Sequence, residues 1–126
     1  MALGLIDFAR SGQLCIITPF CLAGAMAPIT VVGALTLQHS EMLAGLTLSQ
    51  VAKPGAPVMY GGFGSNVDMR SGAPAFGTPT HMQMTLGTGQ LARLLGLPWR
   101  SAAGSASNTH DMQASGENTL GLMATV

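Results

Sequence analysis

Short apolar runs alternate with helical patterns along the first part of the chain. Residues 2–10 mix apolar and polar positions in a helical pattern, and Ser11-Gly12 follows as a typical helix end. The apolar run at 14–17 is bounded by glycine and proline, which predicts a strand buried on both faces. Residues 19–28 are predicted to form a loop.

A long helix and a second strand are predicted next. Apolar residues recur at spacings near three and four over 29–52, which predicts a helix that Lys53-Pro54-Gly55 ends. Residues 56–60 predict a short strand that runs into a glycine-rich loop over 61–77. This loop is longer than most connections in compact domains, and long loops of this kind are often functional.

The last part of the chain repeats the alternation. Thr78-Pro79 supplies a helix N-cap followed by proline at the first helical position, which predicts a helix that runs to residue 95. Residues 97–103 predict a third strand, and 104–109 its loop. Asp111 is predicted to begin a final helix.

The predicted order of elements decides the fold class. Buried strands that alternate with helices favour a parallel sheet of βαβ units, so the fold class is α/β. About three βα units are predicted, whereas a complete TIM (β/α)8 barrel has eight units in about 250 residues. The sequence therefore predicts a partial TIM barrel, with residues 1–126 as a fragment of a single domain.

The scarcity of charge narrows the classes of function. Hydrophobic residues make up 48% of the chain, charged residues 8% and the formal net charge is +0, a pattern opposite to that of disordered chains. The five basic residues are scattered singly, so no basic stripe exists that would bind nucleic acid. With so few charges, we expect much of the surface to be covered by the remainder of a larger protein.

One uncharged stretch has the length of a membrane span, but the N-terminus does not have the pattern of a signal peptide. Residues 11–40 carry no charged side chain and are long enough to span a bilayer, but prolines, glycines and polar residues interrupt them. We therefore expect no membrane partner, and a small membrane protein stays an alternative. The N-terminus lacks a basic region and carries Asp7 early, which favours a cytoplasmic protein. Cys15 and Cys21 are predicted to be two buried free thiols.

Several segments of the chain occur in an order that is known from one protein family. These segments are 19–20, 27–30, 38–41, 54–63, 66–79, 90–93, 96–98 and 111–114, and the run 68–79 is the most specific of them. They resemble the trimethylamine methyltransferase family, and the resemblance covers nearly all of the chain from about Leu14 onward. Two positions depart from the family pattern, Thr80 where an acidic residue is usual and His110 where proline often precedes the Asp-x-Gln-Ala motif.

The resemblance implies a TIM-barrel methyltransferase of a family related to methanogenesis. Such an enzyme moves a methyl group from a small methylated amine, trimethylamine or a quaternary amine such as glycine betaine, to the cobalt of a partner corrinoid protein. The chain itself is then expected to bind no cofactor, because the cobamide belongs to the partner. The resemblance also implies the pyrrolysine-free branch of the family and a homo-oligomer at full length.

Candidate substrate-binding residues lie at or beyond the predicted strand ends, where barrel active sites are built. A quaternary ammonium cannot donate a hydrogen bond, so proteins bind it with aromatic faces and a carboxylate at some distance. Some candidates also have a structural interpretation. The aromatic residues could pack in the core, and Asp68 and Arg70 could form an ion pair. Asp111 suits the N-cap of a helix. The candidates are Tyr60, Phe63, Asp68, Arg70, Phe76, His110, Asp111, Gln113 and Glu117.

Other polar residues and glycines are not assigned to a catalytic site. His39 and Glu41 are two apart on a helix and do not share a face, so we predict packing or inter-subunit contacts and no metal site. His81 is predicted to lie at the surface, and Trp99 to pack in the core. The glycines of the 61–77 loop lack the lysine of a phosphate-binding loop. No catalytic residue is predicted, since a methyl transfer to cobalt depends mainly on orientation and electrostatics.

Two further alternatives remain at the level of function, beside the small membrane protein. Three βα units cannot close a barrel, so the chain could be a catalytically inactive truncated fragment or an assembly module. We accordingly expect the isolated chain not to turn over substrate. A barrel enzyme without methyl chemistry is the other alternative, and failure to bind any corrinoid protein would distinguish it.

Overall fold

The computed structural model describes residues 1–126, with short parallel strands and helices that alternate along the chain. The three predicted strands and the four predicted helices are present, so the alternation predicted from the sequence is confirmed. The elements are α1 Ala2–Arg10, β1 Cys15–Ile17, β2 Cys21–Ala23, α2 Val31–Ala52, β3 Val58–Gly61, β4 Gly64–Asn66, α3 Pro79–Leu94, β5 Trp99–Arg100 and α4 Met112–Thr125.

The strands form two small parallel sheets, and partner residues are offset by the same number of positions in both. β1, β3 and β5 form a three-stranded sheet in that order, and β2 pairs with β4. Cys15 lies opposite Val58 and Cys21 lies opposite Gly64, so the offset between partners is 43 residues in both sheets. β1 and β2 are therefore two halves of one strand path, and β3 and β4 are two halves of its neighbour.

Two strands were not predicted, and both lie in segments interpreted as loops. β2 lies within the predicted loop 19–28, and β4 lies within the predicted loop 61–77. Each has only three residues and follows a proline- or glycine-containing break, so neither has a periodic pattern of its own. Parallel pairing between the two segments stabilises both, which is a tertiary effect that local patterns do not reveal.

Capping residues fix the helix ends, at Thr78 and Asp111 as predicted, and at Thr30 for α2, which was predicted to begin at residue 29. The Thr30 hydroxyl accepts the N–H of Gly33 at 3.2 Å at the start of α2, and Lys53 is its C-cap. The Thr78 hydroxyl accepts the N–H of His81 at 3.3 Å at the start of α3. Asp111 caps α4 through a 2.8 Å hydrogen bond from the N–H of Ala114, which confirms its N-cap role.

Helices α2 and α3 cover one face of the sheets. Met42 of α2 and Ala92 of α3 pack on Val58 and Tyr60, and Trp99 lies against this cluster, as predicted. A second cluster joins β2 to the same helices through five buried residues, Cys21, Ala23, Ala27, Ala34 and Met84. Successive side chains of a strand point to opposite faces, so the alternate residues Ile16, Phe20 and Phe63 belong to the other face.

That other face is open over β1, which corrects one expectation. β1 was predicted to be buried on both faces, but Ile16 is 48% exposed. The reason is that Ile16 lies at an open depression beside α1, while its neighbour Ile17 packs against the core beneath α2. Cys21 is a buried free thiol and Cys15 is only partly buried. No helix is both long and apolar enough to cross a membrane.

Candidate functional site

Three phenylalanines form one aromatic surface beside the strand breaks. The rings of Phe20 and Phe63 stack with centroids 4.9 Å apart and planes at 26°. Phe76 meets Phe63 edge-on, with centroids 5.5 Å apart and planes at 77°. Phe20 is 47% exposed, and Phe63 and Phe76 are half-buried. We call Phe20, Phe63 and Phe76 the aromatic surface; the structure thus brings together two predicted candidates and adds Phe20.

Tyr60 lies on the opposite side of its strand from this surface. Its side chain is fully buried beneath α2 and α3, where His39 Nδ1 lies 3.1 Å from the Tyr60 hydroxyl. Burial raises the pKa of the Tyr60 hydroxyl above its ordinary value. Alternation beyond the end of β3 explains the separation, since Gly62 and Gly64 face α3 and Phe63 lies between them. Tyr60 and His39 therefore contribute to core packing in this structure.

The Glu117 carboxylate connects three segments next to the aromatic surface. It accepts hydrogen bonds from the Ser105 hydroxyl at 2.6 Å, the N–H of Ala106 at 2.9 Å and the Gln113 amide at 2.9 Å. These bonds, led by that from Ser105, lower the pKa of Glu117. The same carboxylate packs against Gly77, where a side chain would collide with it. Gln113 and Glu117 thus face the start of α3, and their polar groups hold one another.

His110 and Asp111 face a different region of α4. Both are exposed and line an open depression of about 480 Å³ along the outer side of that helix. The Asp111 carboxylate accepts hydrogen bonds from the N–H of Ala114 and the hydroxyls of Ser107 and Thr109. These bonds, led by that from Ala114, lower its pKa. His110 and Asp111 thus line this depression, while hydrogen bonds through Ser107 and Ser105 connect the Asp111 carboxylate to that of Glu117.

Asp68 and Arg70 form a local turn beyond β4. The Asp68 carboxylate accepts the backbone N–H of Arg70 at 2.9 Å and the Ser71 hydroxyl at 2.8 Å, and these bonds lower its pKa. Both Asp68 and Arg70 are exposed. The carboxylate therefore stabilises the turn through the backbone of Arg70, which leaves the Arg70 guanidinium at the surface.

His81 is buried, which corrects the prediction that it lies at the surface. It is only 2% exposed, and its ring meets the edge of Phe76 with centroids 5.5 Å apart. The first turn of α3 faces the sheet because Thr78 and Pro79 fix the entry of the helix there. Helical spacing gives the signal that was missed, since Met84, Thr85 and Thr88 share this buried face with His81.

The chemistry of this arrangement favours binding of a small organic cation. Aromatic faces carry negative electrostatic potential and attract cations, and an ammonium that bears only methyl groups needs no hydrogen-bond acceptor. Phe20 and Phe63 provide a stacked pair of such rings at an exposed position. No group of three or more His, Cys, Asp or Glu residues is arranged to hold a metal ion.

Comparison with known proteins gives one family. A model of that family, described as trimethylamine methyltransferase, matches residues 1–126. The chain is 41% identical over 121 residues to the glycine betaine methyltransferase of Desulfitobacterium hafniense strain Y51, which covers 95% of this chain and 25% of that protein. It is 32% identical over 118 residues to a trimethylamine methyltransferase of Methanosarcina mazei, covering 92% and 24% respectively. The chain therefore spans about a quarter of the length of these curated relatives.

Proposed function

Since this chain belongs to the trimethylamine methyltransferase family, we propose that it is part of a methyltransferase that acts on a small methylated amine. The methyl group goes to the cobalt of a corrinoid carried by a partner protein. The 41% identity to a glycine betaine methyltransferase, against 32% to a trimethylamine methyltransferase, favours a quaternary amine as the substrate. The family membership confirms the resemblance drawn from the sequence.

The aromatic surface is the observation that carries this proposal. The stacked Phe20 and Phe63 rings, with Phe76 at their edge, form a binding face for a trimethylammonium group. Phe20 is 47% exposed, so part of its ring is not covered by residues of this chain. Holding the amine in one orientation lowers the barrier to methyl transfer, because the reacting groups then meet in a productive geometry.

The charged candidates have defined tasks in this proposal. The exposed Arg70 guanidinium binds a substrate carboxylate, as the carboxylate of glycine betaine would require. Glu117 and Gln113 hold the loop after β5 against the start of α3, and so position Phe76. Asp68, His110 and Asp111 stay candidates for contacts with substrate or partner. The partner's corrinoid supplies the reduced cobalt that accepts the methyl group, while the electron pair of the broken C–N bond stays on nitrogen.

We further propose that residues 1–126 form part of a single TIM-barrel domain. The strand order β1-β3-β5 is parallel, and α2 and α3 connect its strands from one side. This is the arrangement of successive units in a (β/α)8 barrel, in which active sites lie at the carboxyl ends of the strands. The mixed α/β fold with parallel strands supports this proposal, and the scarcity of charged residues fits a chain whose open face is covered by further units.

A binding comparison between two isosteric ligands tests the proposed substrate class. Glycine betaine and 3,3-dimethylbutanoate have the same shape and carboxylate, but only glycine betaine carries a positive charge. We expect NMR titration to show upfield shifts of the methyl signals of glycine betaine, and a dissociation constant at least about fivefold lower than that of 3,3-dimethylbutanoate, whose tert-butyl group is uncharged. Equal or tighter binding of the isostere would overturn the assignment of a cation site.

A further inference from the structure

His81 takes part in an unusual cap at the start of α3. The Thr78 hydroxyl accepts the N–H of His81 at 3.3 Å, and His81 Nδ1 lies 3.1 Å from the N–H of Gly77, which donates to it. In the usual capping box, glutamate or glutamine at this position accepts the N–H of the N-cap residue, whereas His81 accepts the N–H of Gly77, one residue before the N-cap Thr78. A histidine in this position brings a titratable ring into the cap.

The hydrogen bond from Gly77 defines the protonation state of the ring. A backbone N–H only donates, so Nδ1 must carry a lone pair and the proton of the neutral imidazole lies on Nε2. Protonation of Nδ1 would replace this hydrogen bond by repulsion between the N–H of Gly77 and that of the ring. It would also place a positive charge at a helix N-terminus, which is unfavourable. Burial also lowers the pKa of His81, which favours the neutral ring.

The cap is connected directly to the aromatic surface. Gly77 has a φ of +75°, a left-handed conformation that favours glycine, and it follows Phe76 in the chain. The Phe76 ring packs edge-on against both Phe63 and His81, with centroids 5.5 Å apart in each pair. A change at the Gly77–His81 hydrogen bond therefore alters the turn that carries Phe76.

We propose that His81 is a positioning residue, whose unprotonated Nδ1 holds the turn at Gly77 and thereby keeps the Phe76 ring on the aromatic surface. The effect on amine binding rests on the proposed function, whereas the tautomer and the turn do not. Glu117 is the titratable group that faces this turn from α4, since its carboxylate packs against Gly77. β4 carries no charged residue, α3 has no acidic residue in its first turn, and Asp68 and Arg70 of the preceding loop are exposed.

Two substitutions separate the acceptor from the ring. His81→Asn keeps an acceptor close to the position of Nδ1 but does not titrate, and His81→Phe keeps the ring without the acceptor. We expect ¹⁵N NMR of the unsubstituted protein at neutral pH to show an unprotonated Nδ1. Exchange of the Gly77 amide, corrected for its intrinsic pH dependence, should be slow in this protein and in His81→Asn, and fast in His81→Phe.

Lowering the pH gives the decisive comparison. Gly77 protection should fall in the unsubstituted protein as His81 gains its proton, and stay constant in His81→Asn. This comparison needs only these two proteins, so it tests the role of Nδ1 even where His81→Phe fails to fold. A protonated Nδ1 at neutral pH, or an equal loss of protection in His81→Asn, would overturn the proposal.

Ligand binding separates this proposal from the proposed function. We expect His81→Phe to weaken binding of glycine betaine about fivefold, and His81→Asn to stay within about twofold of the unsubstituted protein. If the unsubstituted protein binds no betaine while Gly77 protection follows the protonation of His81, the proposed function fails and the positioning role stands. Unchanged betaine binding in a folded His81→Phe would overturn the link to the aromatic surface.

Discussion

Phe20 stacks on Phe63 because the two residues occupy the same register position on neighbouring strand paths. The offset of 43 residues that pairs Cys15 with Val58 and Cys21 with Gly64 also relates Phe20 to Phe63. Both strand paths are interrupted at this level, so the rings meet where the ladder between β1 and β3 ends and that between β2 and β4 begins. The stacked pair is thus a product of strand register.

Replacement of the Phe63 ring should weaken binding of a quaternary amine. Phe63 contacts both other members of the aromatic surface, and Phe63→Leu removes its π face while it retains an apolar side chain. We expect the dissociation constant for glycine betaine to rise by about three- to thirtyfold, the range of a cation–π contact. Phe8→Leu is the matched control, since Phe8 is an exposed ring on α1. Equal effects of the two substitutions would contradict the assignment.

Arg70 should distinguish amines that carry a carboxylate from those that do not. Its guanidinium is exposed, and its backbone N–H, rather than its side chain, bonds to Asp68. Arg70→Gln is expected to weaken binding of glycine betaine about tenfold and to leave binding of tetramethylammonium unchanged. Calorimetric titration of both ligands measures this difference. A parallel loss of both would show that Arg70 acts on the fold of the turn instead.

The sequence predicted the helices better than the strands, for a physical reason. Capping residues such as Thr30, Thr78 and Asp111 act within four residues, so their signals are local. β2 and β4 exist through pairing with each other over 43 residues, and no local pattern encodes that pairing. The same limit applies to the site, where Phe63 and Phe76 were predicted but the contribution of Phe20 depends on register.

Gly61 should be intolerant of a side chain. A Cβ atom at this position would lie 2.8 Å from the Ile17 carbonyl oxygen and collide with the Thr18 hydroxyl, while β1 and β3 are fixed by pairing. Gly61→Ala is expected to lower the free energy of unfolding by about 1–3 kcal/mol. Gly116→Ala is the control, since a Cβ atom there would meet no atom within 4 Å apart from its chain neighbours and the backbone of α4, and a gain of about 0.5–1 kcal/mol is expected. Denaturant unfolding measures both, and a tolerated Gly61→Ala would contradict the close approach.

Glu117 should make the protein less stable in acid. Its pKa is lowered by hydrogen bonds from Ser105, Ala106 and Gln113, so the folded state binds its proton less readily than the unfolded state. This contribution is complete above the unfolded pKa of about 4.3 and is lost as the pH falls through the lower folded pKa. Glu117→Gln should flatten the dependence of unfolding free energy on pH in that range. Asp7→Asn, at an exposed position of α1, is the control, and an unchanged slope in Glu117→Gln would contradict the prediction.

Gln38 should be replaceable by an apolar side chain, although it is fully buried. Its amide nitrogen donates to the Thr88 hydroxyl at 2.8 Å, but its Oε1 has no hydrogen-bond partner. Gln38→Met removes the unpaired oxygen, and the Thr88 hydroxyl still donates to the Met84 carbonyl at 2.7 Å, so we expect a change below about 1 kcal/mol. Thr88→Val instead removes the hydroxyl that accepts the hydrogen bond of the Gln38 amide nitrogen in the core, and should destabilise by about 1–3 kcal/mol. Denaturant unfolding of the two variants checks this order, and a larger loss in Gln38→Met would mean that its amide stabilises the packing of α2 on α3.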